Sequence, residues 1–199
     1  MFIIRLFTGS IMGMLFGLFF GLFLLFAFFV VVIGALAASG GPSPCTPGGG
    51  AITIDQANSD AFKSKWNAFS KVLDGGAPAS LSLNESEVSS RADTWLRDND
   101  VPFSDPRVCI HSGSGEASST FSFGGLHVKI KLKGTLELTG AHPKAHIESM
   151  EVGRIPSWMA APVESLVNRA LDSALGDVKL EHKYAPALTP GQAALAGQP

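Results

Sequence analysis

The chain has 199 residues, with 15 basic and 17 acidic side chains and a formal net charge of −2. Proteins that bind nucleic acid usually show a clearly basic footprint, so this balance argues against that class of partner. Beyond a long apolar segment near the N-terminus, residues 55–185 are numerous enough for one domain with a genuine hydrophobic core.

An uncharged apolar run extends from Ile11 to Ala38. It exceeds the ~20 apolar residues with which a helix crosses a bilayer, so we predict a single-pass transmembrane signal anchor over residues 11–38. Arg5 is the only charge before the run, which places residues 1–10 in the cytoplasm and the C-terminal domain outside it. A cleavable signal peptide is the alternative, because small residues at 35–37 fit a cleavage site, but its apolar region is usually only ~7–15 residues long.

Four glycines recur at intervals of four in and just before this run, namely Gly9, Gly13, Gly17 and Gly21. Residues four apart lie on nearly the same helix face, and grooves of small residues let membrane helices approach closely. The pattern could therefore support a homodimer through the membrane helix. The alternative is that glycine is simply common in membrane helices.

Residues 39–54 are rich in glycine and proline and are predicted to be a flexible linker that leaves the orientation of the domain unfixed. Cys45 in this linker could form a disulfide with Cys109 if the domain lies in an oxidising compartment. Two reduced or buried thiols are the alternative, because the sequence gives no geometry for the pair.

Two helices are predicted before the sheet. The first covers residues 55–73, where Phe62, Trp66, Phe69 and Leu73 recur at helical spacing. Such a stripe is usually core, but with lysines nearby it could also lie on a bilayer surface. The second begins at the N-cap residue Asn84, with Glu87 completing a capping box. Its expected buried face consists of Val88, Ala92, Trp95 and Leu96.

From Asp105 onward the apolar period changes to two, which predicts antiparallel strands. The clearest pattern runs from Leu126 to Leu138, where even positions are apolar and odd positions are polar. Gly134 interrupts it and predicts a bend. A phase change after it predicts a β-bulge near Glu148 and Ser149.

An amphipathic helix is predicted over residues 157–175 and a last strand over residues 178–184. Residues 186–199 are rich in alanine, proline and glycine, so we predict a disordered tail. The expected fold class is α+β, with a single N-terminal transmembrane helix and a domain whose curved antiparallel sheet packs around amphipathic helices.

Two segments resemble a known family. SLNESEVSSRADTWL is similar to a helix start of YpmS-like membrane-anchored proteins, and HIESMEVGRIPSWMAAPVESLVNRAL is similar to their strand, glycine, proline and amphipathic helix segment. Those domains look like the TULIP-like (BPI-like) lipid-binding superfamily, in which a curved sheet wraps a long helix and leaves an apolar channel. The resemblance implies binding of a lipid or another amphiphile and no catalytic residues. The chain departs from it where Val88 and Ser89 follow Glu87, and in its extra helix at 55–73.

A groove between the long strand and the helices would be lined by apolar side chains, as ligand pockets usually are. The same side chains would serve equally well as a filled core. The candidate lining residues are Phe121, Phe123, Val128, Ile130, Leu132, Leu136, Ile147, Met150, Leu166 and Leu171.

Catalytic and metal-binding patterns are weak. His111, Ser112 and Ser114 lie beside a turn without a nucleophile elbow. His142 and His146 are four apart in strand-like sequence, where they would not converge on a metal. We therefore predict no enzyme activity, no cofactor and no metal site.

Lys129, Lys131 and Lys133 share a strand face with His127 and could meet anionic head groups or wall polymer, although a solvated face is the commoner interpretation.

The function predicted from these features is a membrane-anchored extracytoplasmic binding domain for a lipid or another amphiphile. The bilayer is its expected partner, and nucleic acid is not. The alternative is a cell-envelope scaffold or assembly protein that acts through protein–protein contacts. A third hypothesis, an envelope hydrolase, requires His111, Ser112 and Ser114 to converge in a cleft.

Overall fold

A computed structural model describes residues 40–123, 125–138, 142–156 and 182–199, together with the isolated positions 34–35, 165, 168–169 and 180. The described residues form an α+β fold with two helices and two antiparallel sheets. In chain order the elements are α1 (Gln56–Asp74), β1 (Ala79–Asn84), α2 (Glu85–Asp98), β2 (Phe103–His111), β3 (Ser114–Phe123), β4 (Leu126–Glu137), β5 (Lys144–Val152), β6 (Lys183–Thr189) and β7 (Gln192–Gln198).

The predicted membrane span and its glycines lie outside the described residues, except for Gly34 and Ala35, which are helical. Within the part of the chain that the structure describes, no helix is both long and apolar enough to cross a membrane. The predicted helix over 157–175 is likewise described only at Ser165, Asn168 and Arg169, all three of which are helical.

Strands β2 to β5 form a four-stranded sheet in chain order, and β1, β7 and β6 form a separate three-stranded sheet in that order. The bulge predicted near Glu148 is confirmed: Lys133 lies opposite Ser149 and Gly134 opposite Ile147, so Glu148 is the extra residue. At Gly134 there is no space for a Cβ, because the carbonyl oxygen of His146 occupies that position. The bend residue and the bulge are therefore parts of one irregularity.

The prediction of a disordered tail over residues 186–199 is wrong. Strands β6 and β7 form a hairpin whose turn contains Gly191 with a φ of 79°, and β7 pairs with β1 along its length. Pro186 is tolerated because β6 is an edge strand, where a missing N–H breaks no ladder. Composition suggested disorder because the strand residues are small. Small residues are what this position requires, since a Cβ on Gly197 would come within 2.7 Å of the Leu73 side chain.

The hydrophobic core of this half of the domain lies between α1 and the three-stranded sheet. Phe69, Leu73, Leu81 and Leu83 are buried, and Leu195 packs against them. The α1 stripe is therefore core at its C-terminal end, while Trp66 remains 41% exposed. The predicted N-cap Asn84 and its capping box with Glu87 are confirmed. Asp55 is the N-cap of α1, and Gly75 is its C-cap.

The predicted burial of α2 is wrong. Its buried residues are polar, namely Glu85, Glu87, Ser89, Ser90 and Thr94, while Trp95 is 52% exposed and Val88, Ala92 and Leu96 are half-buried. The helix lies along the outer edge of β2, and backbone groups there need hydrogen-bond partners. Polar side chains are buried because they supply those partners.

Candidate functional site

An apolar band crosses the four-stranded sheet. Cross-strand neighbours share a sheet face, and the register pairs Phe121 with Val128, Leu132 with Met150, and Ile130 with Val152. Phe103 extends the band onto β2, with its ring centroid 5.1 Å from that of Phe121. Apolar side chains from all four strands thus share one face of the sheet, with Ser119, opposite Ile130, as a polar position among them.

The exposure of the candidate residues varies along the band. Ile147 and Met150 are buried, whereas Phe121, Val128, Ile130 and Leu132 are half-buried and Leu136 is 50% exposed. Leu126, at the other end of β4, is 49% exposed. Phe123 lies in β3 opposite Leu126, and Leu166 and Leu171 are outside the described residues.

The middle of the band is open at Ala117. This residue pairs with Val108 on one side and Leu132 on the other, so it lies on the apolar face. The residue is nevertheless exposed. The band therefore has accessible apolar surface in its interior as well as at its ends.

Asn168 is hydrogen-bonded to the edge of this sheet. Its side-chain oxygen accepts a 2.9 Å hydrogen bond from the Ile147 N–H, and its amide nitrogen donates to the Ile147 carbonyl at 3.2 Å. Among the described strands β5 lies at the edge of its sheet, so these two bonds take the place of a neighbouring strand next to the bulge. Asn168 thus lies beside the band.

The opposite face of β4 carries cations. Lys131 forms an ion pair with Glu116 at 3.3 Å, and Lys133 forms one with Glu148 at 3.6 Å. Among the described residues Lys129 has no ionic partner, and it lines a cleft of about 90 Å³ with Asp105 and neighbouring hydroxyl side chains.

The predicted linker is fixed to the domain and does not behave as a flexible tether. Cys45 and Cys109 form a disulfide with a Cα–Cα distance of 5.9 Å. The sequence alone does not decide between this bond and two free thiols. Both cysteines are buried. Glu85 then accepts hydrogen bonds from the backbone N–H groups of Gly48 at 2.9 Å and Gly49 at 3.1 Å.

Further polar bonds continue this attachment along α2. The Thr53 N–H donates to Ser86 Oγ at 3.0 Å, and the Asp55 N–H donates to Ser90 Oγ at 3.1 Å. Residues from Cys45 to the start of α1 are therefore held against α2 and β2.

A second exposed apolar surface lies on the helices. Phe62 and Trp66 stack with ring centroids 6.4 Å apart, and both line a cleft of about 430 Å³ with Lys63 and Arg91. The stripe of α1 is thus shared between core and surface. Contact of the exposed half of this stripe with a bilayer stays a prediction.

The residues of the hydrolase hypothesis do not form a catalytic arrangement in the described chain. His111 lies 3.9 Å from the Glu116 carboxylate and opposite Ser114 in the strand register, but no side-chain hydrogen bond among the described residues joins it to Ser112 or Ser114. The described residues also contain no group of three or more His, Cys, Asp or Glu that could hold a metal ion.

The chain matches no protein-family model, no curated protein and no solved structure.

Proposed function

We propose that this chain is a membrane-anchored, extracytoplasmic, non-catalytic binding domain for a lipid or another amphiphile. The apolar band on the four-stranded sheet is the proposed binding surface. The observation that carries the proposal is Ala117, which is exposed although its cross-strand neighbours Val108 and Leu132 belong to the apolar face. An acyl chain laid across this position would bury apolar surface at about 25 cal/mol per Å².

The finer architecture belongs to the same proposal. The helix predicted over residues 157–175 would lie across the band and complete a channel with Leu166 and Leu171, as the TULIP-like resemblance implies. The two hydrogen bonds between Asn168 and Ile147 support this placement, because they hold Asn168 at the edge of β5.

The disulfide supports the location outside the cytoplasm. Disulfides persist in oxidising compartments and are rare in the cytosol. Cys45 and Cys109 are 64 residues apart and joined in one bond, with both side chains buried. A domain placed beyond the predicted span by the single charge of Arg5 would meet those oxidising conditions.

Lipid analysis of the purified chain tests this proposal. The full chain would be extracted from membranes in a mild detergent, exchanged extensively into lipid-free detergent, and analysed for bound lipid by native mass spectrometry. We expect about one tightly held amphiphile per chain. An unrelated single-pass protein carried through the same exchange controls for annular lipid, and an equal lipid content in the two would contradict the proposal.

The second candidate is a scaffold that binds an extended segment of a partner protein. It is favoured by the edge of β1 that no strand in the described part of the chain covers, and which borders a groove of about 520 Å³ against α1. The Ser82 carbonyl of β1 accepts a 3.1 Å hydrogen bond from Lys65 Nζ of α1. An added strand could pair with this edge by β-augmentation.

Photo-crosslinking in intact membranes separates this candidate from the first. A photoreactive residue at Ser80, on the β1 edge, would capture one defined protein if the chain is a scaffold. The same group at Ala194, exposed on the central strand β7, is the matched control. Capture at neither site, or equal capture at both, would contradict the scaffold function.

A further inference from the structure

The N-terminal end of the continuously described chain lies on the cationic face of the four-stranded sheet. A Cβ added to Gly41 would come within 2.6 Å of Lys129 Cβ, and one added to Gly40 would come within 3.0 Å of Arg154 Nε. Gly153 also contacts Lys129, because its N–H donates a 2.8 Å hydrogen bond to the Lys129 carbonyl. We call these five residues the Lys129–Arg154 surface.

The distance from this surface to the predicted membrane span is short. The span ends at Ala38, two residues before Gly40, and a fully extended chain covers at most ~3.6 Å per residue, or roughly 7 Å in all. The chain after Gly40 cannot lengthen this connection freely, because the disulfide at Cys45 and the bonds from Glu85 hold it to the domain.

The charges on this surface are available to a partner. Lys129 and Arg154 are both exposed, and neither has an ion pair among the described residues. The acidic groups nearby are Asp105, which pairs with Arg107 at 3.3 Å, and Glu151, which lies opposite Lys131 in the sheet register. Lys131 forms its ion pair with Glu116, so Glu151 stays an exposed acid, and the surface presents two unpaired cations against this one carboxylate to an anionic partner.

We propose that the Lys129–Arg154 surface rests on the anionic lipid head groups of the bilayer and thereby fixes the orientation of the domain. The inference rests on the membrane anchor of the proposed function. The screening length is about 8 Å at physiological ionic strength, comparable to the reach of the connecting chain, so the two cations lie within the field of the membrane. Each basic residue at such a surface strengthens binding about fivefold.

Lysine footprinting of the full chain in lipid nanodiscs tests the inference. Nanodiscs of phosphatidylcholine alone and of phosphatidylcholine with 30% phosphatidylglycerol would be treated with a small amine-acetylating reagent and analysed by mass spectrometry. We expect acetylation of Lys129 to fall about fivefold in the anionic discs. Lys71 and Lys183, both exposed, are the internal controls and should change less than twofold. Equal protection of all three lysines, or protection of Lys71 alone, would overturn the inference.

A charge reversal adds a matched comparison. Arg154→Glu should abolish most of the anionic-lipid protection of Lys129, whereas Lys71→Glu, with the same change in net charge, should leave it intact. Both residues are exposed, so we expect both variants to fold, which circular dichroism checks. Unchanged Lys129 protection in Arg154→Glu would overturn the inference.

Membrane extraction distinguishes failure of the docking surface from failure of the proposed function. If alkaline carbonate releases the chain from membranes, the anchor is absent and both proposals fall. If the chain stays in membranes and keeps its bound amphiphile while Lys129 is acetylated equally in both kinds of disc, only the docking surface is overturned.

Discussion

The carboxylate of Glu85 accepts a 2.7 Å hydrogen bond from the backbone N–H of Ile110, so a helix side chain occupies the free edge of a sheet. The same carboxylate accepts the N–H groups of Gly48 and Gly49, and its residue is only 4% exposed. Glu85 also stands at the start of α2, where the helix dipole favours negative charge. One buried side chain therefore joins α2, β2 and the segment that leads to the predicted membrane span.

Loss of this carboxylate should destabilise the domain strongly. Glu85→Ala leaves three backbone donors without their partner, and we expect the free energy of unfolding to fall by about 3 kcal/mol. Urea denaturation monitored by circular dichroism measures the change. Glu137→Ala, at an exposed position of β4, is the control and should change stability by less than about 0.5 kcal/mol. Equal stability of the two variants would contradict the role of Glu85.

The disulfide should contribute to stability through the long loop that it closes. For a separation of 64 residues, the chain-entropy argument gives about 4 kcal/mol. Cys45→Ser with Cys109→Ser should therefore lower the free energy of unfolding by about that amount. A reductant should destabilise the native chain similarly and leave the double variant unchanged. If a reductant also destabilised the double variant, the loss of stability would not come from the disulfide, and this prediction would be contradicted.

The contact between Asn168 and Ile147 should be visible in hydrogen exchange. Asn168→Ala removes both hydrogen bonds to the edge of β5, with an expected loss of about 1 kcal/mol in the free energy of local opening. The amide of Ile147 should then exchange about fivefold faster by NMR. The neighbouring exposed Arg169→Ala is the control. Equal exchange in both variants would remove the support for placing the predicted third helix beside the band.

Packing of the C-terminal hairpin should depend on Gly197. A methyl group at this position would meet Leu73 and Phe69, so Gly197→Ala should cost about 2 kcal/mol of stability. Gly115→Ala is the matched control in β3, because the nearest atom to its added Cβ is the Cys109 carbonyl oxygen at 4.0 Å. Thermal unfolding of the two variants makes the comparison. A destabilised Gly115→Ala beside an unaffected Gly197→Ala would contradict the docking of β7.

Local signals in the sequence predicted the local structure well. The capping box of Asn84 and Glu87 and the alternation along β4 depend on residues within a few positions of each other. The bulge at Glu148 was predictable for the same reason, because a bulge shifts the alternation of apolar and polar residues within one strand. These features need no knowledge of distant partners.

The errors have one physical origin, which is dependence on distant residues. The tail was expected to be disordered because nothing near Ala193 or Leu195 shows that β1, more than 100 residues earlier, supplies the ladder. Hydrophobic periodicity identifies only apolar buried side chains. It therefore could not predict the burial of Glu85 and Ser89, which accept hydrogen bonds from backbone N–H groups at the edge of β2. Polar residues recurring along one face of α2 were the available signal.

The candidate site was predictable only in part. The alternation along β4 identified Val128, Ile130 and Leu132 as one face, and the register confirms that face. Exposure of Ala117 could not be predicted, because it depends on what lies above the sheet. The attachment of the glycine-rich segment depends on Cys109 and Glu85, which are distant in sequence.

Filling the open position of the band tests the central claim most directly. Ala117→Trp would occupy the exposed apolar surface between Val108 and Leu132, whereas Ala194→Trp places the same side chain at an exposed position of β7. Both variants would be purified as full chains, checked for unchanged thermal unfolding, and compared with the native chain for bound amphiphile by native mass spectrometry. We expect the amount of amphiphile bound per chain to fall about fivefold or more in Ala117→Trp, equivalent to about 1 kcal/mol of affinity. Ala194→Trp should bind as much amphiphile as the native chain. Full retention by Ala117→Trp would contradict the claim that the band binds lipid.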